Sequence, residues 1–253
     1  MDRTSRFDEN NYEFNTTSKK GVYIIHGFSN TTYETKNLAE YLSTKGYYAV
    51  ANNLPGHGTS VEECNRTKYT DWITAVEQDV AELASKCDTI HLVGASMGGV
   101  LALHLSTIFP LNSLIVVAPV FKFQSQFKTH VLVPLFNNLI PKTKKSSQYS
   151  NGENMKFYGY TYYPNKALNQ LRKLTNVVKK ELHKVQCPTL MLYSKSDKTC
   201  IMDNYNIVND NIASKIKEKL ILEKISHIML NDKTPLNEHE LIYQTINNFL
   251  KKF

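Results

Sequence analysis

Residues 91–103 read HLVGASMGGVLAL, and no other stretch restricts the fold as severely. Residues 91–94 have the character of the end of a buried strand, and residues 100–104 that of the start of a helix. The chain must therefore reverse between them at a very tight corner, with Ser96 at its apex. Gly94-Ala95-Ser96-Met97-Gly98 fits G-x-S-x-G, the strand-to-helix elbow in which a serine is held in a strained conformation with its hydroxyl exposed. The glycines have a steric reason, because a side chain at 94 or 98 would collide with the neighbouring strand or helix. The N-terminus of the following helix then faces any negative charge that develops beside Ser96. Five residues can match by coincidence, so the elbow needs partners elsewhere in the chain.

Several short apolar runs alternate with helical patterns, which predicts an α/β fold with a mostly parallel sheet flanked by helices on both faces. Strands are expected at 21–27 (GVYIIHG), 47–54 (YYAVANNL), 89–95, 113–119 (SLIVVAP), 187–194 (CPTLMLYS) and 219–224 (KLILEK). Helices are expected at 33–45, closed by Gly46, at 70–86, after the elbow, at 201–212 and at 238–251. The alternation breaks once, from Val120 to about Lys184, where aromatic, basic and helix-like segments are mixed. A core formed by 1–118 and 187–253 with an inserted cap over the sheet at 119–186 accounts for that break. With 253 residues and 42% hydrophobic content, the chain can bury one sizeable core.

The first twenty residues are polar and contain no apolar signal region, and no apolar run approaches the ~20 residues of a membrane span. A soluble, cytoplasmic protein is the expectation. Cys64, Cys87, Cys187 and Cys200 are widely spaced and no histidine cluster has ligand spacing, so four reduced thiols, no metal and no cofactor are expected. The net charge of +7 is uneven: residues 119–186 hold twelve Lys or Arg against Glu153 and Glu181, a net of +10, which leaves −3 elsewhere. No nucleic-acid motif accompanies this excess. It reads as a solvated basic face, with weak contact to an anionic interface as the alternative.

A serine hydroxyl needs a positioned histidine to take its proton, and the histidine needs a carboxylate to fix its tautomer. Reactive groups on such sheets gather at the carboxyl ends of strands. His227 lies just past the strand at 219–224. His239, His104 and His91 fall within elements, and His130 and His183 in the inserted segment. His26 and His57 also end strands, but each is flanked by glycine in a turn, where shaping the loop is the expected task. For the acid, Asp197 follows the strand ending at 194 by three residues. Asp203 is better explained as a helix cap, and Asp232 would reverse the chain order Ser, Asp, His that accompanies this motif. Backbone N–H donors for an oxyanion are expected from Met97, directly after the serine, and from Phe28 in the turn His26-Gly27-Phe28.

IIHGF, LPGHG, VGASMGG, SKSD and SH, in this order, resemble the α/β-hydrolase superfamily, most closely its bacterial carboxylesterase and monoacylglycerol lipase branch. The likeness runs from about Lys20 onward, and TYYPNKALNQLRKL resembles the segment leading into these enzymes' last cap helix. The resemblance implies an α/β-hydrolase fold with a cap (lid) over the active site. It further implies ester hydrolysis through an acyl-enzyme, with Ser96, Asp197 and His227 as triad and Phe28 and Met97 as oxyanion donors. The sequence departs from the pattern at two places: Ser194 stands where the family often has glycine, three before the acid, and Ile225-Ser226 precede His227. Serine at the elbow disfavours dehalogenase and epoxide-hydrolase chemistry, which use a carboxylate there. Phe121, Phe123, Phe127, Val131, Leu132, Leu135, Phe136, Phe157, Tyr158, Tyr160, Tyr162 and Tyr163 predict an apolar pocket for a short- to medium-chain acyl group. A small-molecule ester is thus the expected partner of a monomer or homodimer. Thioesterase or amidase activity, or non-catalytic binding of a small molecule, are the alternatives.

Overall fold

A computed structural model describes residues 8–145, 159–231 and 235–253. Strand β1 (Tyr12–Phe14) leads to β2 (Lys20–Ile25), helix α1 (Lys36–Thr44), β3 (Tyr48–Ala51), the short α2 (Val61–Cys64), α3 (Tyr69–Lys86), β4 (Thr89–Ala95), α4 (Met97–Leu105) and β5 (Ser113–Val117). After an inserted segment the chain returns through β8 (Thr189–Ser194), α7 (Asp203–Asn211), β9 (Lys217–Leu222) and α8 (Leu236–Leu250). The main sheet has the order β1-β3-β2-β4-β5-β8-β9. Every pairing in it is parallel except β1 with β3.

The sheet is apolar along its central strands because both of its faces are covered. All five residues of β5, all six of β8 and all but the first of β2 and β4 are buried. Helix α4 is buried at each of its nine positions. It lies against β4 and β5 with α3 and α6 (Asn165–Lys179) packed over it, so its residues are apolar or glycine throughout except His104. Helix α1 packs against α8, where the Tyr41 and Tyr243 rings meet at 5.2 Å.

Strand β1 escaped the sequence reading because three residues are too few to show a period of two. The first helix begins at Lys36 and not at 33, since Thr32–Glu34 form a 3-10 turn whose Tyr33 N–H is accepted by the Thr31 hydroxyl.

Between β5 and β8 lie a π-helical turn (Lys128–Leu132), α5 (Val133–Phe136), a hairpin of β6 (Lys142–Lys144) with β7 (Tyr162–Pro164), and α6. Because β8 pairs directly with β5, this segment is an excursion from an otherwise continuous sheet. The hairpin was not expected, because β6 is Lys-Thr-Lys with every residue exposed. The carboxyl ends of the central strands are brought level by their register: Ile25 pairs with Gly94, Ala95 with Val117, and Ser194 with Leu222. Ser96, Asp197 and His227 each follow one of these ends.

Candidate active site

The elbow at Ser96 has no slack. Ser96 adopts φ 52° and ψ −112°, a left-handed conformation for a residue with a side chain, which costs of order 1–3 kcal/mol and persists only because the surrounding structure imposes it. Its N–H donates to the Val117 carbonyl at 2.8 Å, anchoring the corner to β5. A Cβ at Gly94 would lie 2.2 Å from the Gly98 carbonyl oxygen, and a Cβ at Gly98 2.2 Å from that of Ile25. Both glycines are there because backbone passes within van der Waals contact of them, as the motif predicted.

The structure brings the three expected polar residues together across 131 positions of sequence. His227 Nε2 lies 3.0 Å from Ser96 Oγ, and its Nδ1 2.7 Å from Asp197 Oδ2. With Nδ1 protonated and donating to Asp197, Nε2 is free to accept from the serine hydroxyl. The other carboxylate oxygen, Asp197 Oδ1, accepts the N–H groups of Thr199 at 2.7 Å and Cys200 at 2.9 Å, so the acid is held from both sides. Asp197 is buried and Ser96 is 9% exposed. Burial acts to lower the His227 pKa, but the Cys200 sulfur and the Asp197 carboxylate outweigh it and raise the imidazole well above its usual 6.5. Asp197, Cys200 and His227 form the one group of metal-ligand type among the described residues. Both carboxylate oxygens already accept from protein donors, so this group reads as a hydrogen-bonded relay and not as a cation cage.

The two departures from the family pattern meet in space. Ser194 Oγ donates to the Ile225 carbonyl at 2.6 Å, and Ser196 Oγ to the Glu223 carbonyl at 2.6 Å. These bonds tie the loop that carries Asp197 to the loop that carries His227.

The turn after β2 is held by residues from distant parts of the chain. His26 Nδ1 lies 2.9 Å from the Gly27 carbonyl and its Nε2 accepts the Leu54 N–H at 3.1 Å. Burial lowers its pKa to about 4, and that of His57 to about 3, so both stay neutral while they shape the turn. The Gly27 N–H donates to the buried Glu34 Oε2 at 2.6 Å. Nothing in the sequence marked Glu34 for this task. Phe28 N–H and Met97 N–H meet no acceptor among the described residues, and Met97 opens α4, whose first N–H groups lack intrahelical partners.

The remaining candidates sit elsewhere. His104 is bonded to Glu181 at 2.8 Å and His91 to Ser113 at 2.8 Å, both as packing contacts. Asp203 begins α7 and pairs with Lys122, and Asp232 lies outside the described residues.

A cavity of about 570 Å³ opens over Ser96 and His227. Its apolar wall includes Phe28, Val120, Phe123, Val133, Leu168, Leu171 and Ile228. Of the twelve apolar and aromatic side chains of the inserted segment that suggest such a pocket, some of them expected in the segment's own core, Phe123 and Tyr163 line it among the described residues. Phe121 and Tyr160 are buried in the core, while Phe127, Val131, Leu135 and Phe136 are exposed. Phe157 and Tyr158 lie outside the described residues. No helix among the described residues is long and apolar enough to cross a membrane.

Comparison with known proteins finds relatives over most of the chain. The chain is 29% identical over 219 residues to a thermostable monoacylglycerol lipase of a Bacillus species, covering 84% of each. It is 26% identical over 234 residues to a carboxylesterase of Bacillus subtilis, covering 92% of this chain and 93% of the relative. A solved structure described with the metagenome-derived lipolytic enzymes LipS and LipT superposes with a TM-score of 0.86 at 25% identity, over 97% of this chain and 98% of that one. The monoacylglycerol lipase of Paleococcus ferrophilus shares the fold, with a TM-score of 0.78 at 15% identity over 95% and 97% of the two chains. The family described as serine aminopeptidase, S33 matches residues 16–234, and the chain belongs to this family of α/β-hydrolase fold proteins.

Proposed function

We propose that this protein is a serine carboxylic ester hydrolase that cleaves short- to medium-chain acyl esters through an acyl-enzyme, with residues 119–186 forming a cap over the site. The observation that carries the reading is the continuous relay from Ser96 Oγ through His227 to Asp197, at 3.0 and 2.7 Å. Neutral His227 Nε2 takes the hydroxyl proton as Ser96 Oγ attacks the ester carbonyl carbon, and Asp197 stabilises the imidazolium that results. The N–H groups of Phe28 and Met97 hold the oxyanion of the tetrahedral intermediate. His227 then passes the proton to the leaving alcohol oxygen, and a water repeats the sequence on the acyl-serine.

The family's description raises aminopeptidase activity as a second reading, and the cavity argues against it. A peptide's α-ammonium needs a carboxylate, yet among the described residues the cavity lining contains no Asp or Glu and four lysines, Lys128, Lys144, Lys145 and Lys198. The acyl-ester reading also agrees with the names of the Bacillus relatives, a monoacylglycerol lipase and a carboxylesterase. Four cysteines without a disulfide fit a reducing compartment such as the cytoplasm.

The deciding experiment is hydrolysis of p-nitrophenyl esters from acetate to palmitate by the wild type and by Ser96→Ala. The expected result is a maximum at short or medium chain length that falls by roughly 10⁴-fold or more in the variant. Turnover of aminoacyl amides with no ester cleavage would reverse the conclusion.

A further inference from the structure

Lys145 is the residue of the inserted segment that the proposed chemistry leaves unexplained. It follows β6, is buried, and lines the same cavity as Ser96 and His227. Its Nζ donates to Ser29 Oγ at 2.6 Å and stands 5.0 Å from the centre of the Tyr163 ring. An ammonium has three protons to donate, and a hydroxyl and a ring face do not neutralise its charge.

Buried lysines are ordinarily paired with a carboxylate. Among the described residues no Asp or Glu makes an ion pair with Lys145, and none lines the cavity. The thiol of Cys64 interacts with it, but burial pushes that thiol up to about 12, so it brings no negative charge at neutral pH. Burial lowers the lysine itself to about 8, the response of a cation that lacks a counter-charge. Lys128, Lys144 and Lys198, all exposed, line the same cavity and add positive potential. Asn165 and Thr143, bonded to each other at 2.7 Å, contribute further polar groups to its wall.

Resting on the ester-hydrolase reading, we propose that the preferred substrates are esters bearing an anionic oxygen group, a carboxylate or a phosphate, that pairs with Lys145 while the ester carbonyl sits at Ser96. The substrate thereby supplies a counter-charge that no described residue of the cavity provides, and a neutral monoester brings none. The apolar wall opposite accommodates the acyl chain.

The test compares kcat/KM for octanoyl esters of three alcohols of similar size: glycerol, glycerate and glycerol phosphate. Methyl octanoate against monomethyl suberate places the carboxylate on the acyl side instead. Each is measured with the wild type, Lys145→Met and Lys145→Arg. A charge-assisted hydrogen bond in a partly desolvated site predicts that the wild type favours at least one anionic ester by roughly 10-fold or more. The ratio of anionic to neutral ester should collapse towards one in Lys145→Met and recover in part in Lys145→Arg. Using the ratio removes any general loss of activity that follows from disturbing the Ser29 contact. The glycerate, phosphate and suberate arms separate the sources of the anion. Neutral esters cleaved as well as or better than every anionic one by the wild type would overturn the proposal, even if no variant folds. A preference that survives in Lys145→Met would overturn the assignment to this residue. Cleavage of no ester at all would overturn the hydrolase reading and this inference with it.

Discussion

Gly98→Ala places a methyl group where the structure has none to spare. A Cβ built at Gly98 lies 2.2 Å from the Ile25 carbonyl oxygen and 2.7 Å from that of His26. Carbon-to-oxygen contacts in folded proteins begin at about 3.3 Å, so α4 and the end of β2 must part by about 1 Å. These are the two elements that carry Ser96 and the Phe28 turn, and neither has another route of relief. Ser96 N–H is anchored to Val117, and the Gly27 N–H is anchored to Glu34. The separation between the nucleophile and the Phe28 N–H therefore absorbs the displacement. A misplacement of about 1 Å at reacting groups costs roughly 100-fold in rate, and overpacking costs about 1–3 kcal/mol of stability. In a chain of this size that is about 2–12 °C in Tm. The assay is kcat on the best p-nitrophenyl ester together with the thermal midpoint. The expected result is a loss near 100-fold in kcat with folded protein. A variant within threefold of wild-type kcat at unchanged Tm would show that the elbow is not wedged against β2 and would refute the reasoning.

Asp197→Asn should reduce kcat by roughly 10⁴-fold while leaving the fold intact, because the amide oxygen can still accept the Thr199 and Cys200 N–H groups but its NH2 then faces His227 Nδ1, favours the wrong tautomer and brings no charge to stabilise the imidazolium; a loss below tenfold in steady-state hydrolysis would remove Asp197 from the relay. The raised pKa of His227 fixes the sign of the pH dependence: the imidazole is protonated and inactive as a base below that value, so kcat/KM should climb with pH through a midpoint above 6.5. A rate already flat between pH 5 and 7 would contradict this. Ser194→Ala removes the donor to the Ile225 carbonyl and leaves a buried acceptor unmet, a loss of about 1–3 kcal/mol that differential scanning calorimetry should register as about 2–12 °C.

The parts of this molecule that could be read in its sequence are those where one physical demand acts on every residue of a segment. A strand covered on both faces must be apolar at each position, which is why β2, β4, β5 and β8 stand out as continuous runs. Ser96, Asp197 and His227 were legible because each lies a few residues past such a run, where parallel strands present their ends to one edge. The inserted segment offers no comparable rule. Ahead of α6, whose helical period does mark a buried face, the segment's apolar residues follow no period that separates the wall of the cavity from the outer surface, so Phe123 and the 65% exposed Phe127 look alike in sequence. Charge was equally uninformative there. Lys142 and Lys144 are exposed, as a solvated basic face requires, while Lys145 next to them is buried against Ser29.

The turn at residues 27–30 shows why long-range contacts had to be seen to be counted. Buried backbone groups need partners, and in this turn some are local while Glu34 and Tyr160 come from further along the chain. The Gly27 N–H goes to Glu34, its carbonyl accepts from Asn30 N–H and lies beside His26 Nδ1, and the Ser29 carbonyl accepts from Tyr160 N–H at 3.0 Å. Lys145 takes the Ser29 hydroxyl, and Ser29 itself adopts φ 58°. A Cβ at Gly159 would lie 1.6 Å from the Ser29 carbonyl oxygen, so the inserted segment presses directly on the turn there. With those groups committed, Phe28 N–H remains in a turn that lines the cavity with Ser96, which is what an oxyanion donor requires. The same contacts make the turn's shape depend on the inserted segment, so a substrate that engages Lys145 acts on a residue already bonded to the loop that would hold its oxyanion.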